Sequence, residues 1–227
     1  MARTVDLEAH AVRRDAFVDA AQRLMQAKGF EEMSIRDVLT EAGASRGAFY
    51  HYFDSKADLL DAVVARVVDA ALASVEPLAA DPGVPAPAKL RGLFGGIAQW
   101  KMQRTELMLA LTQVWMSDEN AITREKMWRV VMERFAPLLA DVMRQGDEEG
   151  VFSVASPDET ARVVVALMHG MNDDAVRTFV SRGPGTTMLP AARAMLAAYI
   201  DALERVLGVT PGTLELLDDS VLEEWFS

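Results

Sequence analysis

Apolar residues recur every three or four positions through most of this chain, a rhythm that marks amphipathic helices. Phe17, Ala20, Ala21, Leu24 and Met25 form the first stripe, on a helix predicted from His10 to Lys28 and stopped by Gly29. Residues 1–9 ahead of it, with Arg3, read as a loose arm. Two short helices follow. Ser34 is a candidate N-cap, and Asp37 three residues on completes a capping-box pair. Ile35, Val38 and Leu39 give that helix one apolar face, and Gly43 ends it. Ser45 caps the next, from Arg46 to about Tyr52. Ser55 and Asp58 open a long helix predicted to Ala80, apolar at Leu59, Leu60, Val63, Val64, Val67, Val68 and Leu72.

Asp81 to Pro87 carries three prolines and a glycine and reads as a loop. A helix is predicted from Ala88 to Met116. Ser117 is placed to cap another, Asp118 to Gln145, with Pro137 kinking it near Glu133 to Ala136. Gly146 to Gly150 reads as a turn. Ser156, Pro157 and Glu159 mark a further helix start, with that helix reaching Arg182 before Gly183, Pro184 and Gly185 break it. Met188 to Leu207 is predicted helical, and a short tail helix could begin at Thr210 and Pro211. No segment shows sustained strand alternation, so the expected fold class is all-α.

The helix–glycine turn–helix spacing of residues 34–52 is that of a helix-turn-helix, whose second helix enters the DNA major groove. The stretch SIRDVLTEAGASRGAFYHYFDSKADLL resembles the signature of the TetR family of transcriptional repressors. Gly43, Ser45, Gly47, the run Phe49 to Phe53 and Lys56 carry the likeness, which extends over about residues 10 to 64. It implies a three-helix DNA-binding domain over residues 1–56. A long helix then leads into a helical ligand-binding and dimerisation domain over residues 57–227. It also implies a four-helix homodimer interface built from the last two long helices of each subunit.

Within the reading helix, Arg46 has the fork to read guanine or clamp a phosphate. Gly47 and Ala48 are small enough to let the backbone near base edges, and Ala48 can meet a thymine methyl. Ser45 and the amides beside it can hold a phosphate, since a helix N-terminus exposes N–H groups. Ser34, Arg36 and Lys56 are candidate phosphate contacts at the flanking helix starts. Tyr50 and His51 resemble family positions that contact phosphate or base edges. Phe49 and Phe53 are expected in the core.

Charge complicates the picture. The chain's net charge is −11, yet residues 1–56 carry eight basic and nine acidic side chains. The acidity therefore lies mostly beyond the DNA module. That module is near neutral, so binding has to lean on placed contacts and dimer geometry rather than on nonspecific phosphate attraction. The acidic second domain tilts the expectation toward a neutral or cationic effector.

Trp100, Trp115 and Trp128 cluster in the second domain with Met108, Met132 and Met168. Ordinary core explains most of them. Adaptable methionine and tryptophan also suit a pocket for an apolar or aromatic small molecule, with His169 and Asn172 as polar groups on a mostly apolar helix. The apolar faces marked by Val164, Met168, Met171, Ala175 and Phe179, and by Leu196, Tyr199, Ile200, Leu203 and Val206, point to pairing between subunits.

Other chemistries have little support. Gly43 to Gly47 matches the G-x-S-x-G nucleophile elbow, but an elbow needs a strand entering and here a helix enters. No catalytic residue is assigned and the chain is read as a non-enzyme. The three histidines lack metal-ligand spacing, and no metal or cofactor is expected. With no cysteine, the sequence fits a reducing cytoplasm. The N-terminal ten residues lack an apolar signal core, and the longest uncharged run, Leu107 to Ser117, is too short to span a bilayer. The leading expectation is thus a dimeric repressor on palindromic operator DNA, released by a small effector. A helix-turn-helix regulator controlled by a protein partner stands beside it, and an enzyme with a relic DNA module is the remote third.

Overall fold

The computed structural model describes residues 2–180, 187–216 and 219–226. The described residues form helices and turns with no strand among them, in agreement with the all-α expectation. The helices are α1 (Ala2–Lys28), α2 (Ile35–Ala42), α3 (Arg46–Tyr52), α4 (Lys56–Ala73), α5 (Glu76–Ala80), α6 (Ala86–Met102), α7 (Thr105–Met116), α8 (Ala121–Glu148), α9 (Pro157–Val180), α10 (Leu189–Leu207) and α11 (Asp219–Phe226). They fall into two compact units, Met1–Asp69 with Arg104–Met127, and Ala70–Gln103 with Trp128–Ser227. The sequence division at residue 56 is drawn differently: most of α4, and all of α7, group with the N-terminal helices. Helices α4 and α8 each run unbroken from one unit into the other.

The first unit is organised around three phenylalanines. Phe17 of α1 meets Phe49 of α3 edge-on at 5.6 Å and Phe53 at 6.2 Å between ring centroids, and all three are buried. Val38, Met33, Leu59, Leu60 and Val63 complete this core. The capping box at α2 forms as the sequence predicts, Ser34 Oγ accepting from the Asp37 amide and Asp37 accepting from the Ser34 amide. Gly43 closes α2 at φ 59°, and its amide donates to Thr40 O while that of Ala44 donates to Leu39 O. A side chain at that left-handed position would strain the turn that sets the angle of α3. Arg66, past the middle of α4, pairs with Asp19 of α1 and donates to Gln22 Oε1 at 2.5 Å, clamping the long helix to the first.

In the second unit, Leu90, Leu93 and Phe94 of α6, Phe135, Leu139 and Met143 of α8, Val164 and Val165 of α9 and Leu203 and Leu207 of α10 are buried. Helix α10 packs on α9, and Tyr199 Oη donates to Asp174 Oδ2 at 2.8 Å. Helix α11 covers Ala192 and Leu196 with Leu222 and Phe226.

Several boundaries depart from the sequence expectation. The arm expected over residues 1–9 is the first part of α1, because alanine, arginine, leucine and glutamate favour helix and no glycine or proline interrupts them. The helix expected to reach Ala80 stops at Ala73. Pro77 cannot donate back to residue 73 and its ring crowds that carbonyl, so the chain restarts as α5 with proline in its first turn. The loop over residues 81–87 gives way to α6 at Ala86, again with proline in the first turn. The single helix expected from Ala88 to Met116 is broken at Gln103–Arg104, where the sequence offers no glycine or proline and the division between the units falls.

Ser117 does not cap α8; a 3-10 turn, Asp118–Asn120, intervenes, fixed by the Asn120 amide group donating to Val114 O. Helix α8 continues past Pro137 and Gly146 to Glu148. The tail helix expected at Thr210–Pro211 is a turn, because Gly212 takes φ 80°, and α11 forms further on. Arg182 and the break at Gly183 to Gly185 lie outside the described residues.

Candidate DNA interface and effector site

Helix α3 has a sharply divided surface. Phe49 is fully buried, whereas Ser45, Arg46, Gly47, Tyr50 and His51 are exposed. Ser45 Oγ accepts from the Ala48 amide at 3.2 Å, so the cap fixes where the helix begins. The same geometry disposes of the nucleophile elbow: Ser45 follows a helix and a left-handed glycine, not a strand. The Arg46 guanidinium lies 5.5 Å from the Tyr50 ring centroid, one turn along. A Cβ added at Gly47 would meet nothing within 4 Å, so that stretch of backbone is open to approach. Ala48 is less open than the sequence suggests; it is half-buried and packs against the phenylalanine core.

The flanking candidates are partly committed inside the fold. Ser34 Oγ donates to Asp37 Oδ2 at 2.7 Å in addition to capping α2. Lys56 Nζ donates to Glu31 O at 3.2 Å and lies 4.2 Å from the Phe30 ring centroid, pinning the α1–α2 loop to the start of α4. Arg36 is exposed on α2.

Two neighbours escaped the sequence reading. His10 of α1 lies 5.6 Å from His51 and 4.5 Å from Tyr52, ring to ring, which places the first helix beside the outer edge of α3. Lys28 lies 2.7 Å from Asp37 Oδ2 and, together with the Ser34 hydroxyl and amide, holds the Asp37 carboxyl well below the usual carboxylate range.

The residues expected to line one effector pocket are divided. Met108 and Trp115 belong to the first unit; Trp100, Trp128, Met132, Met168, His169 and Asn172 belong to the second. Within the second unit three helices meet through polar and aromatic contacts. Trp128 of α8 stacks on His169 of α9 at 4.3 Å and 29° between ring planes. Asn172, three residues along the same helix, accepts through Oδ1 from Lys101 Nζ of α6 at 2.8 Å. Asp173 Oδ2 lies 3.9 Å from His169 Nε2. Trp100 is buried; Met132 and Met168 are half-buried. Lys101 was not anticipated, because a lysine is ordinarily solvated and nothing in its spacing marks it otherwise. Burial pushes its ammonium pKa down. No cluster of three or more histidine, aspartate or glutamate side chains suited to a metal ion occurs among the described residues.

A capped reading helix on a phenylalanine core, followed by a separate helical unit, defines a helix-turn-helix regulator. Two family models match: bacterial regulatory proteins, tetR family, over residues 17–63, and tetracyclin repressor-like, C-terminal domain, over residues 110–179, the second beginning within α7 of the first unit. The chain belongs to the TetR family of transcriptional regulators, and its relatives are regulators rather than enzymes. It is 27% identical over 172 residues to YfiR of Bacillus subtilis, an uncharacterised HTH-type transcriptional regulator, covering 74% of this chain and 80% of that one. Its fold is similar to RolR bound to resorcinol, with TM-score 0.64 and 16% identity over 97% of this chain and 98% of that one. It is similar also to a complex of SmeT with triclosan, at TM-score 0.60 and 21% identity over 89% and 97%. SmeT comes from Stenotrophomonas maltophilia.

Proposed function

We propose that this regulator is a cytoplasmic repressor that binds palindromic operator DNA as a homodimer and is released by an apolar or aromatic small molecule. The observation that carries the reading is α3: its inner face is Phe49, and its outer face presents Arg46, Gly47, Tyr50 and His51 to solvent. Arg46 reads a base or clamps a phosphate, while Gly47 and Ala48 keep the backbone close to the groove. Ser45, Tyr50 and His51 supply phosphate or base-edge contacts, with Ser34, Arg36 and Lys56 on the flanks. Lys56 and Ser34 act chiefly by fixing the angles of α4 and α2, given the bonds they already make.

An aromatic effector is supported by the second unit's own chemistry, where the Trp128–His169 stack and Lys101–Asn172 bond join three helices. The resorcinol and triclosan of the two similar structures are both aromatic, in keeping with that choice. Among the described residues no helix is long and apolar enough to cross a membrane. Dimerisation would use the outer faces of α9 and α10. Leu196 and Leu203, which the sequence placed in that interface, are buried inside the single chain, because α10 is apolar on two sides and one of them faces its own unit. Val163 on α9, 47% exposed, is available instead.

The test is selection of bound fragments from randomised duplex DNA, followed by anisotropy on the enriched sequence. The reading predicts an inverted repeat bound by two subunits, with half-site centres about 34 Å or a multiple apart. A site without two-fold symmetry, bound by one subunit, would overturn it.

A further inference from the structure

We propose that the effector is an organic acid, an aromatic or apolar molecule carrying a carboxylate or an acidic phenol, whose anionic group pairs with Lys101 and is oriented by Asn172. This rests on the ligand-responsive reading and narrows it, against the neutral or cationic effector that the acidic sequence suggested.

Lys101 has an incomplete set of partners. Lysine's ammonium carries three donors. Here one of them is used on Asn172 Oδ1, at 2.8 Å, and that partner is a neutral amide. Among the described residues no carboxylate oxygen lies within 4 Å of Nζ. Cations withdrawn from water are ordinarily paired with an anion or give up their proton. Lys101, half-buried beside Asn172, thus has a charge that no protein carboxylate among the described residues balances and two donors left over from that one bond. An anion placed against it supplies both needs at once. Asn172 keeps its side-chain N–H group for the same ligand, because its oxygen is already engaged.

The neighbouring carboxylates do not offer a substitute. Asp174 accepts from Tyr199, and Asp173 faces His169 at 3.9 Å. What lies beside the cation on α9 is aromatic: His169, one turn before Asn172, stacked by Trp128. A ring attached to the acid group would find a flat partner there. Lys89, the buried lysine of α6, differs from the half-buried Lys101. It donates to Gln145 Oε1, and Gln145 donates in turn to the Glu149 carboxylate at 2.5 Å, so a carboxylate already closes that network.

The test uses the full-length protein and three matched probes: 2-naphthoate, its primary amide, and 2-naphthylmethylammonium. Tryptophan quenching and thermal shift read binding, and anisotropy on the selected operator reads release. The acid should bind about tenfold or more tighter than the amide, the range expected of one hydrogen bond to a charged group. Lys101→Met should abolish that preference while Lys101→Arg keeps part of it. Without ligand, Lys101→Met should melt above wild type, since it removes an unbalanced charge; a lysine with a structural role would give the reverse. Tighter binding of the amide or the ammonium, with operator release, would overturn the acid while leaving the ligand-responsive reading intact. Failure of all three probes to bind, together with a Lys101→Met variant that melts lower than wild type, would overturn the acid on the ligand-free readout. An acid preference that survives Lys101→Met would overturn the assignment to Lys101.

Discussion

Arg46 and Tyr50 sit one turn apart on α3, the guanidinium 5.5 Å from the phenol ring centroid. The ring holds the fork along the helix instead of letting it sweep through solvent, so less side-chain freedom is lost on DNA. Arg46→Ala is expected to cost about 1–3 kcal/mol in operator binding if it reads a base. Tyr50→Ala should cost about 0.5–1 kcal/mol through loss of the stack, besides any contact of its own. Anisotropy on the selected operator measures both. Wild-type affinity in Arg46→Ala would remove it from the reading set.

Asp37 couples α1 to the start of α2. Its folded carboxyl pKa is depressed by Lys28 and by the Ser34 hydroxyl and amide, so its contribution to stability is present above the unfolded carboxylate value, about 3.9. That contribution is lost as pH falls below this value toward the folded one. Asp37→Asn should therefore lower the urea midpoint at pH 7, with the gap to wild type closing in strong acid. A gap that stays constant with pH would mean the carboxylate charge is not the cause.

Glu204 anchors the segment after α10. Its buried carboxylate accepts from the amides of Thr213 and Leu214 at 2.8 and 2.9 Å, and backbone hydrogen bonds hold its pKa down. Glu204→Ala would leave two donors without it, a penalty of about 1–3 kcal/mol for a buried orphan. Amide exchange over residues 212–216 should quicken in that variant ahead of the rest of α10. Uniform exchange would show the anchor to be dispensable.

For the dimer, Val163 and Leu203 separate association from folding. Val163→Glu, on the exposed face of α9, should yield folded monomers with little operator affinity. Leu203→Glu buries a charge in the unit's own core and should prevent folding. Sedimentation and circular dichroism distinguish them. A dimeric Val163→Glu with unchanged affinity would place the interface elsewhere.

What the sequence made legible was local. Ser34, Asp37, Gly43 and Ser45 act on neighbours within four residues, so the helix-turn-helix could be read from spacing alone. The breaks at Ser74–Val75 and Gln103–Arg104 were not read: the first needs Pro77 weighed against a strong apolar run, and the second has no local breaker. Core and interface were confused at Leu196 and Leu203 because an apolar helix face does not state which protein surface covers it. The effector residues were the least legible. His169 and Asn172 could be picked from an apolar helix, but Trp128 is 41 positions before His169 and Lys101 is 71 before Asn172, and only the fold brings them together.

The central claim is that effector and operator compete through one equilibrium. Its most direct measurement is a ligand titration, read by tryptophan quenching, on protein alone and on protein saturated with operator duplex. Linkage requires that operator weaken effector binding by the same factor by which effector weakens operator binding. The account predicts a dissociation constant raised about five-fold or more by operator, within the usual range of coupling energies. Equal effector affinity in the two titrations would contradict it and would favour control by a protein partner.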